Sequence, residues 1–467
     1  MKKGDHIDVL IHDLAFGGEA VGKMIVDGKA GDFIVFVDGA TLAGEVVTVA
    51  LDKVKKNFAH GRLVKVSAPG AERITPRCKH FGICGGCSLQ HMPYEQQLKW
   101  KEKMVRDALE KIGGLNGVEI MPIVGCSEPW FYRNKMEYSF DGREGGDVVV
   151  GLHPKKSFRE VFDLEECFLE SELSVAIMKR VERWANERKI SGYHFGRNAG
   201  MLRNLAVREG KNTGEVLVNL MTNGDDFPKE KELVEIMQKE FPQITSFYRT
   251  SILVRKGFRT AMNENLLYGK KTLTETLTVL TKAGEQTLHF EILPQAFFQP
   301  NTRQAQKLYE TVLAFAEPEK DNRVMDLFCG TGTIGMFFAK IGCSVMGVDL
   351  NESAIINARE NAASNQISNI EFIAKDVNKL FASGPLPSSL YDLLVTDPPR
   401  NGIDPKPLEA ILEMRIPRWI YVSCNPTTLA RDLQIATSHG YTVKKVQPVD
   451  MFPQTYHVET VVLLELA

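Results

Sequence analysis

Nowhere in this chain does an apolar run reach the roughly 18 consecutive residues that a membrane-spanning helix needs, so no span is expected. The opening MKKGDHIDVLIHDLAFGGEA carries two lysines but meets Asp5, His6, Asp8 and His12 where a secretory leader has its apolar core. No secretory signal is expected from it, and a cytoplasmic protein is the expectation. Excess charge is lacking too: 57 Lys and Arg stand against 59 Asp and Glu, a formal net charge of −2. No global positive field exists to recruit a polyanion, so any nucleic acid must be held by local patches. Internal repeats and low-complexity segments are also missing, which argues against a solenoid or a disordered array.

What is present is an ordinary globular composition, 43% hydrophobic and 25% charged, in 467 residues. At about 150 residues per domain, that length suggests about three domains. Residues 1–67 alternate short β-rich runs (HIDVLIHDL, DFIVFVDGA, AGEVVTVAL, HGRLVKVSAP) with glycine turns, the pattern of a small β-barrel. Lys53, Lys55, Lys56, His60, Arg62 and Lys65 make its last third basic, equally a solvated strand pair or a nucleic-acid surface. Residues 68–92 read as a linker, PGAERITP, followed by a cysteine-rich stretch, CKHFGICGGCSLQH. Residues 93–290 form an α+β region, in which YEQQLKWKEKMVRDALEKI is an amphipathic helix and LRNLAVREG with GEVLVNLMT a hairpin. In YRNKMEYSF, Arg133 and Lys135 alternate with Tyr132 and Tyr138, a pattern shared by an exposed strand face and by an RNA contact.

From residue 291 to 467 the apolar runs VMDLF, CSVMGVDL, IEFIAKD, YDLLVTDPP and WIYVSC alternate with helical stretches such as ESAIINARENAASN. Alternation of that kind builds a parallel sheet covered by helices. The expected fold class is therefore a multidomain α/β protein with an N-terminal small barrel, an α+β middle region bearing a cysteine cluster, and a C-terminal Rossmann-like domain.

Within that last region, DLFCGTGTIGMFFAK runs from a strand through Gly330, Gly332 and Gly335 into a helix, and the next strand ends in Asp349. Glycines let backbone approach a ligand, and an acid about twenty residues on accepts hydrogen bonds from ribose hydroxyls, so an adenosine-containing cofactor is indicated. The sequence G-T-G-T-I-G after Asp326-Leu327-Phe328 is similar to methyltransferase motif I, with Asp376 where such enzymes keep an acid near the adenine. TDPPR and SCNP each follow an apolar strand, at the strand ends where open α/β sheets bind ligands. An aromatic residue after DPP would suit methylation of an amino group; this chain has Arg400 there. Cys424 and Glu459 suit another problem, methylating a carbon that is not nucleophilic. In uracil, a thiolate adding to C6 makes C5 enolate-like, and a base then removes the C5 proton so the thiol can leave.

FFQPN, DLFCGTGTIG, TDPPR, YVSCNP and FPQTYHVE, in that order, resemble the motifs of the TRAM-containing, iron–sulfur RNA uracil-5-methyltransferases, most of all the enzymes of 23S ribosomal RNA. The resemblance covers essentially the whole chain, and it implies a TRAM-like barrel that binds RNA. It makes Cys424 the nucleophile and Glu459 the base. Gln299, Phe328, Asp349 and Asp397 would line the S-adenosylmethionine site, with Gly330, Thr333 and Asp376 nearby. The target uridine must leave its stack, with Phe297, Phe298 and Tyr132 as candidate supports for unstacked bases. No obligate protein partner is inferred. The catalytic motifs do not separate ribosomal RNA from the T loop of transfer RNA, and a non-catalytic RNA binder of the same fold would have no use for Cys424 or Glu459.

Cys78, Cys84 and Cys87 are spaced C-x5-C-x2-C and want a fourth ligand, for which Cys126 and Cys167 are candidates. Zinc with His80 or His91 would also complete a tetrahedral set, so spacing alone leaves structural zinc and iron–sulfur level. The family resemblance implies a [4Fe–4S] cluster on Cys78, Cys84, Cys87 and Cys167.

Overall fold

The structure, a computed structural model, describes residues 1–142, 147–254, 260–282, 284–381, 386–387 and 390–466. Five strands, His6–Leu14, Ala20–Val26, Lys29–Asp38, Val46–Val54 and Phe58–Ala68, close into a barrel. Alternation decides which side chains fill it: Val9, Ile11, Val35, Val37, Val47, Val49 and Leu51 point inward at period two. The barrel is fastened to the helix Tyr94–Lys111, where Trp100 Nε1 donates to the Leu14 carbonyl at 3.2 Å and Lys103 Nζ reaches Asp13 at 2.7 Å. The linker is fastened in turn by Arg73, whose Nε and Nη2 grip the buried Glu45 carboxylate at 2.6 and 2.7 Å.

The middle region holds a seven-stranded sheet in the order Ala261–Gly269, Ile244–Leu253, Val216–Asn223, Leu202–Glu209, Lys135–Gly142, Val148–Leu152, Phe162–Asp163. Leu202–Glu209 and Val216–Asn223 pair antiparallel as the hairpin read from the sequence. Helices Glu172–Glu187 and Glu230–Glu240 cover the sheet with Ile177, Val181, Trp184, Leu233 and Met237.

The C-terminal sheet runs Ile370–Ala374, Ser344–Asp349, Arg323–Leu327, Leu393–Thr396, Arg418–Ser423, Glu459–Leu466, Tyr441–Val449. Its first five strands are parallel, and the inner ones, Arg323–Leu327, Leu393–Thr396 and Arg418–Ser423, are buried on both faces, which is why they read as unbroken apolar runs. Glu459–Leu466 enters antiparallel to both neighbours, which brings its first residue beside the end of Arg418–Ser423, with Ser423 opposite Thr460. Two cores flank the sheet. In one, helix Thr302–Ala316 packs with Phe337 and Phe338; in the other, Trp100, Met104, Val105 and Leu109 join Leu429, Leu433 and Val446. Strand order reverses between Arg323–Leu327 and Leu393–Thr396, the switch point beyond whose carboxyl ends open α/β sheets bind ligands. Among the described residues, no helix is long and apolar enough to cross a membrane.

Candidate active site

The candidate site starts at the turn after Arg323–Leu327. Phe328, Gly330 and Gly332 all take positive φ, at 62°, 55° and 73°, so the chain doubles back before the helix Thr333–Ile341. Only glycine fits at 332, because an added Cβ would stand 2.3 Å from Phe372 Cζ. At Gly330 an added Cβ meets nothing within 4 Å, so space lies open over the turn. Asp349 holds that turn by accepting from Gly330 N at 2.9 Å through Oδ2, and it braces its own loop by accepting from Asn351 N at 2.8 Å through Oδ1. Each carboxylate oxygen keeps a lone pair for a further donor, as a ribose diol requires. Asp326 lies beneath, 1% exposed; its Oδ2 accepts from Gly335 N at 2.9 Å and its Oδ1 is a buried acceptor without a partner. Asp376, one strand further along, caps a short helix by accepting from Asn378 N at 2.8 Å. Buried Thr333 opens the helix after the turn. The Gln299 carbonyl accepts from Asn134 Nδ2 at 2.8 Å, just before Asn301 caps the helix Thr302–Ala316. These donors and acceptors fit an adenosine-bearing methyl donor.

Cys424 and Asp397 occupy the carboxyl ends of adjacent parallel strands, and Glu459 starts the strand beyond. The loops are tied together by the Arg400 carbonyl, which accepts from Asn425 Nδ2 at 2.9 Å and Thr428 Oγ1 at 3.1 Å. Asn425 Oδ1 caps the helix Pro426–Ser438 through Thr427 N at 3.0 Å. Cys424 thus stands next to a capped helix N-terminus. Burial nevertheless pushes its thiol up to about 12, with Glu459 and Asp397 adding to the rise and Arg400 opposing it. Burial likewise raises Asp397 to about 7; Glu459 rises to about 8 by burial and by Asp397, and Asp326 to about 8 by burial, Asp397 and Asp349. Arg400 Nη2 donates to the His457 ring, 2.6 Å from Nδ1, and burial and Arg400 lower that imidazole to about 4, so it is a neutral acceptor.

Cys167, Cys84 and Cys78 lie near enough to Cys87 for their charges to act on its thiol. Burial raises all four thiols, Cys87 to about 12 and Cys167 to about 11, and their mutual charges add to it: Cys87 is affected by Cys167, Cys84 and Cys78. Among the described hydrogen bonds, Gly86 N donates to Cys84 Sγ at 3.3 Å. Ligated thiolates require such donors. Among the described residues, no group of three or more His, Cys, Asp or Glu is arranged to hold a single metal ion. The other candidates have partners of their own. Cys126 packs beside Asn301 and Glu128, His91 Nε2 meets the Thr41 carbonyl at 3.1 Å, and His80 Nε2 accepts from Glu165 N at 3.1 Å.

Of the aromatics proposed to support bases, Phe297 is 63% exposed, whereas Phe298 is packed against Phe290. Tyr132 is buried, its hydroxyl donating to the Pro453 carbonyl at 3.0 Å, so it braces the loop that leads to Glu459 instead of facing solvent. Two residues carried no signal of their own in the sequence: Asp326, legible only as the first letter of its motif, and His457, whose pairing with Arg400 spans 57 positions.

Comparisons with known proteins bear on the family and the fold. The family model described as tRNA (Uracil-5-)-methyltransferase matches residues 229–467, and that of the TRAM domain matches residues 1–64. A protein of Halalkalibacterium halodurans named an uncharacterized RNA methyltransferase is 38% identical over 466 residues, covering 100% of this chain and 98% of its own. A Protochlamydia amoebophila protein named in the same way is 38% identical over 439 residues, covering 91% and 99%. The crystal structure of Pyrococcus abyssi tRNA (uracil-54, C5)-methyltransferase with S-adenosyl-L-homocysteine superposes with a TM-score of 0.73 at 26% identity, over 98% of this chain and 100% of that one. A TRAM barrel joined to a glycine-turn α/β sheet of this kind defines an S-adenosylmethionine-dependent RNA methyltransferase. Within that class, the chain belongs to the tRNA (uracil-5-)-methyltransferase family.

The acid cluster predicts a pH effect on ligand choice. Asp397, Glu459 and Asp326 carry protons at pH 6 and lose them through about 7 to 8, so negative charge develops only as pH rises. The sulfonium of S-adenosylmethionine is cationic and the thioether of S-adenosylhomocysteine is neutral. The affinity ratio of the two should therefore shift toward the cation by about tenfold between pH 6 and 9, the equivalent of about 1.4 kcal/mol. Calorimetric titration of both ligands reads it, and a flat ratio would remove these carboxylates from the sulfonium's surroundings.

Proposed function

We propose that this protein methylates C5 of a uridine in 23S ribosomal RNA through a covalent bond between Cys424 Sγ and uracil C6, giving 5-methyluridine. The observation that carries this reading is the meeting of Cys424, Asp397 and Glu459 at the ends of neighbouring strands, near enough that each carboxylate raises the thiol. S-Adenosylmethionine, when bound by Gln299, Phe328, Gly330, Thr333, Asp349, Asp376 and Asp397, supplies an electrophilic methyl group. Cys424 gives up its thiol proton to solvent and adds as the thiolate to C6; the electron pair of the C5–C6 bond moves to C5, which takes the methyl group from the sulfonium as the S–CH3 bond breaks and S-adenosylhomocysteine is left. Glu459 then accepts the C5 proton; the electrons of that C–H bond re-form C5–C6 and expel the Cys424 thiolate. A carboxyl raised to about 8 is matched to that task, since a stronger base draws the proton more readily.

In this reading residues 1–67 form the RNA-binding barrel, 68–92 the linker and cysteine stretch, 93–290 the central RNA-contacting region and 291–467 the catalytic domain. The work is cytoplasmic, where the substrate RNA is. Cys78, Cys84, Cys87 and Cys167 would hold a [4Fe–4S] cluster, which orders the stretch against the middle region and takes no part in methyl transfer. What supports it is that Cys78, Cys84 and Cys167 act on the Cys87 thiol and that Gly86 N donates to Cys84 Sγ. Anaerobic purification should yield a brown protein with iron and sulfide, and stoichiometric zinc in a colourless product would overturn it.

Transfer RNA is the second reading, favoured by the Pyrococcus abyssi neighbour, a tRNA (uracil-54, C5)-methyltransferase. Nucleoside-resolution mapping of 5-methyluridine in cells lacking this protein tests both. The mark should vanish from 23S RNA and persist in transfer RNA. Loss from transfer RNA alone would transfer the assignment there, and loss from neither would refute uridine C5 as the target.

A further inference from the structure

The loop at 450–458, which delivers Glu459, is held by residues from the far end of the chain. Gln454 is its pivot: it is 2% exposed and takes φ +67°, a conformation a non-glycine side chain adopts only when its surroundings impose it. Two groups impose it. Gln97, on the helix Tyr94–Lys111, clasps Gln454 twice, its Nε2 donating to Gln454 Oε1 at 3.0 Å and its Oε1 accepting from Gln454 N at 3.0 Å. The residues immediately after Cys87 form the second clasp: Ser88 N and Leu89 N donate to the Gln454 carbonyl at 2.9 and 3.0 Å. Gln97 also joins the two, since its Nε2 lies 3.2 Å from the Leu89 carbonyl and 2.9 Å from that of Met92.

Beyond the pivot the loop is internally bonded. Thr455 Oγ1 donates to the Phe452 carbonyl at 2.8 Å and accepts from His457 N at 3.2 Å, and His457 receives Arg400. On the other side, Lys101 Nζ reaches Asp450 Oδ1 at 2.5 Å and the Phe452 carbonyl at 3.0 Å, while Tyr94 donates to Asp450 Oδ2 at 2.8 Å. No slack segment separates the cysteine stretch from Glu459.

We propose that Gln97 and Gln454 are positioning residues for Glu459, locking the loop that carries it to the cysteine stretch, so that order in the cysteine stretch sets the placement of the base. The inference rests on the reading of Glu459 as the base, but the clasp has a readout independent of turnover. If it is released, Gln454 relaxes from its left-handed conformation and Glu459 loses registry with the adduct. Addition of Cys424 and methyl transfer then proceed, while proton removal slows.

The test compares wild type, Gln97→Ala, Gln454→Ala and Cys87→Ser, each first shown folded by circular dichroism. Hydrogen exchange of peptides covering 450–458 should quicken by about tenfold in all three variants, the equivalent of about 1.4 kcal/mol of opening. In Gln97→Ala, kcat should fall by a similar factor with KM for S-adenosylmethionine unchanged, and a larger share of enzyme should be caught as covalent RNA adduct on denaturing gels. Wild-type exchange in folded Gln97→Ala or Gln454→Ala overturns the clasp. Wild-type exchange in folded Cys87→Ser overturns its link to the cysteine stretch. Should wild type make no 5-methyluridine, the functional reading fails, and exchange alone decides the clasp.

Discussion

Replacing Cys424 by alanine is expected to lower methyl transfer by at least about 10⁴-fold, the scale at which enzymes lose a nucleophile on which the rest of the machinery depends. Uracil C5 does not attack a methyl sulfonium until C6 has been saturated, so neither the glycine turn nor Glu459 compensates for the missing sulfur. The substitution removes one atom from a half-buried position at the end of a strand, and Asn425 keeps both its cap on the next helix and its bond to the Arg400 carbonyl. RNA and S-adenosylmethionine should consequently bind within a few-fold of wild type. Labelled methyl transfer and a denaturing gel check the two halves: no 5-methyluridine, and no covalent complex. Turnover that survived the change would refute the covalent mechanism.

The parts of the molecule governed by local periodicity were legible in the sequence. Val9, Ile11, Val47 and Val49 alternate because a barrel strand has one wet face, and VMDLF or YDLLVTDPP do not alternate because their strands are covered on both sides. The glycine turn was legible because positive φ and the approach of Phe372 admit no side chain at 332. Long-range pairings were not. Trp100, Met104 and Leu109 announce an amphipathic helix, but nothing in their spacing says that Leu429 and Leu433 receive them. Lys101 and Asp450 are 349 positions apart, and Gln97 and Gln454 are 357, beyond any pattern that a helix or strand repeat imposes. Tyr132 shows the same limit from the other side. Its alternation with basic residues resembles an RNA-facing strand, yet its hydroxyl is turned inward to the Pro453 carbonyl. Arg400 was read only for what it replaces after DPP; its bonds to His457, Asn425 and Thr428 make it the tie between the three loops of the site.

Glu459→Gln should separate the two halves of the reaction. Glutamine matches glutamate in shape at a position 6% exposed, so the loop and the strand behind it keep their packing. Cys424 still adds to C6 and C5 still takes the methyl group, but no carboxylate receives the C5 proton, and the thiolate cannot be expelled. Turnover should fall by about 10²- to 10⁴-fold, the usual contribution of a positioned base. Methylated RNA should meanwhile accumulate bound to the protein at close to one equivalent, resistant to denaturant. A variant that turned over normally, or stalled before the methyl group moved, would refute the role of Glu459. Stability gives a second check with a defined sign. The wild-type carboxyl is raised from its usual 4.5 to about 8 by burial and by Asp397, so between those values the unfolded chain ionises while the folded protein does not. Its contribution to stability therefore falls as pH climbs through that window. Glutamine carries no such loss, so the Tm of the variant relative to wild type should increase steadily from pH 5 to pH 8, and a difference that stayed constant would mean that the buried carboxyl is not raised.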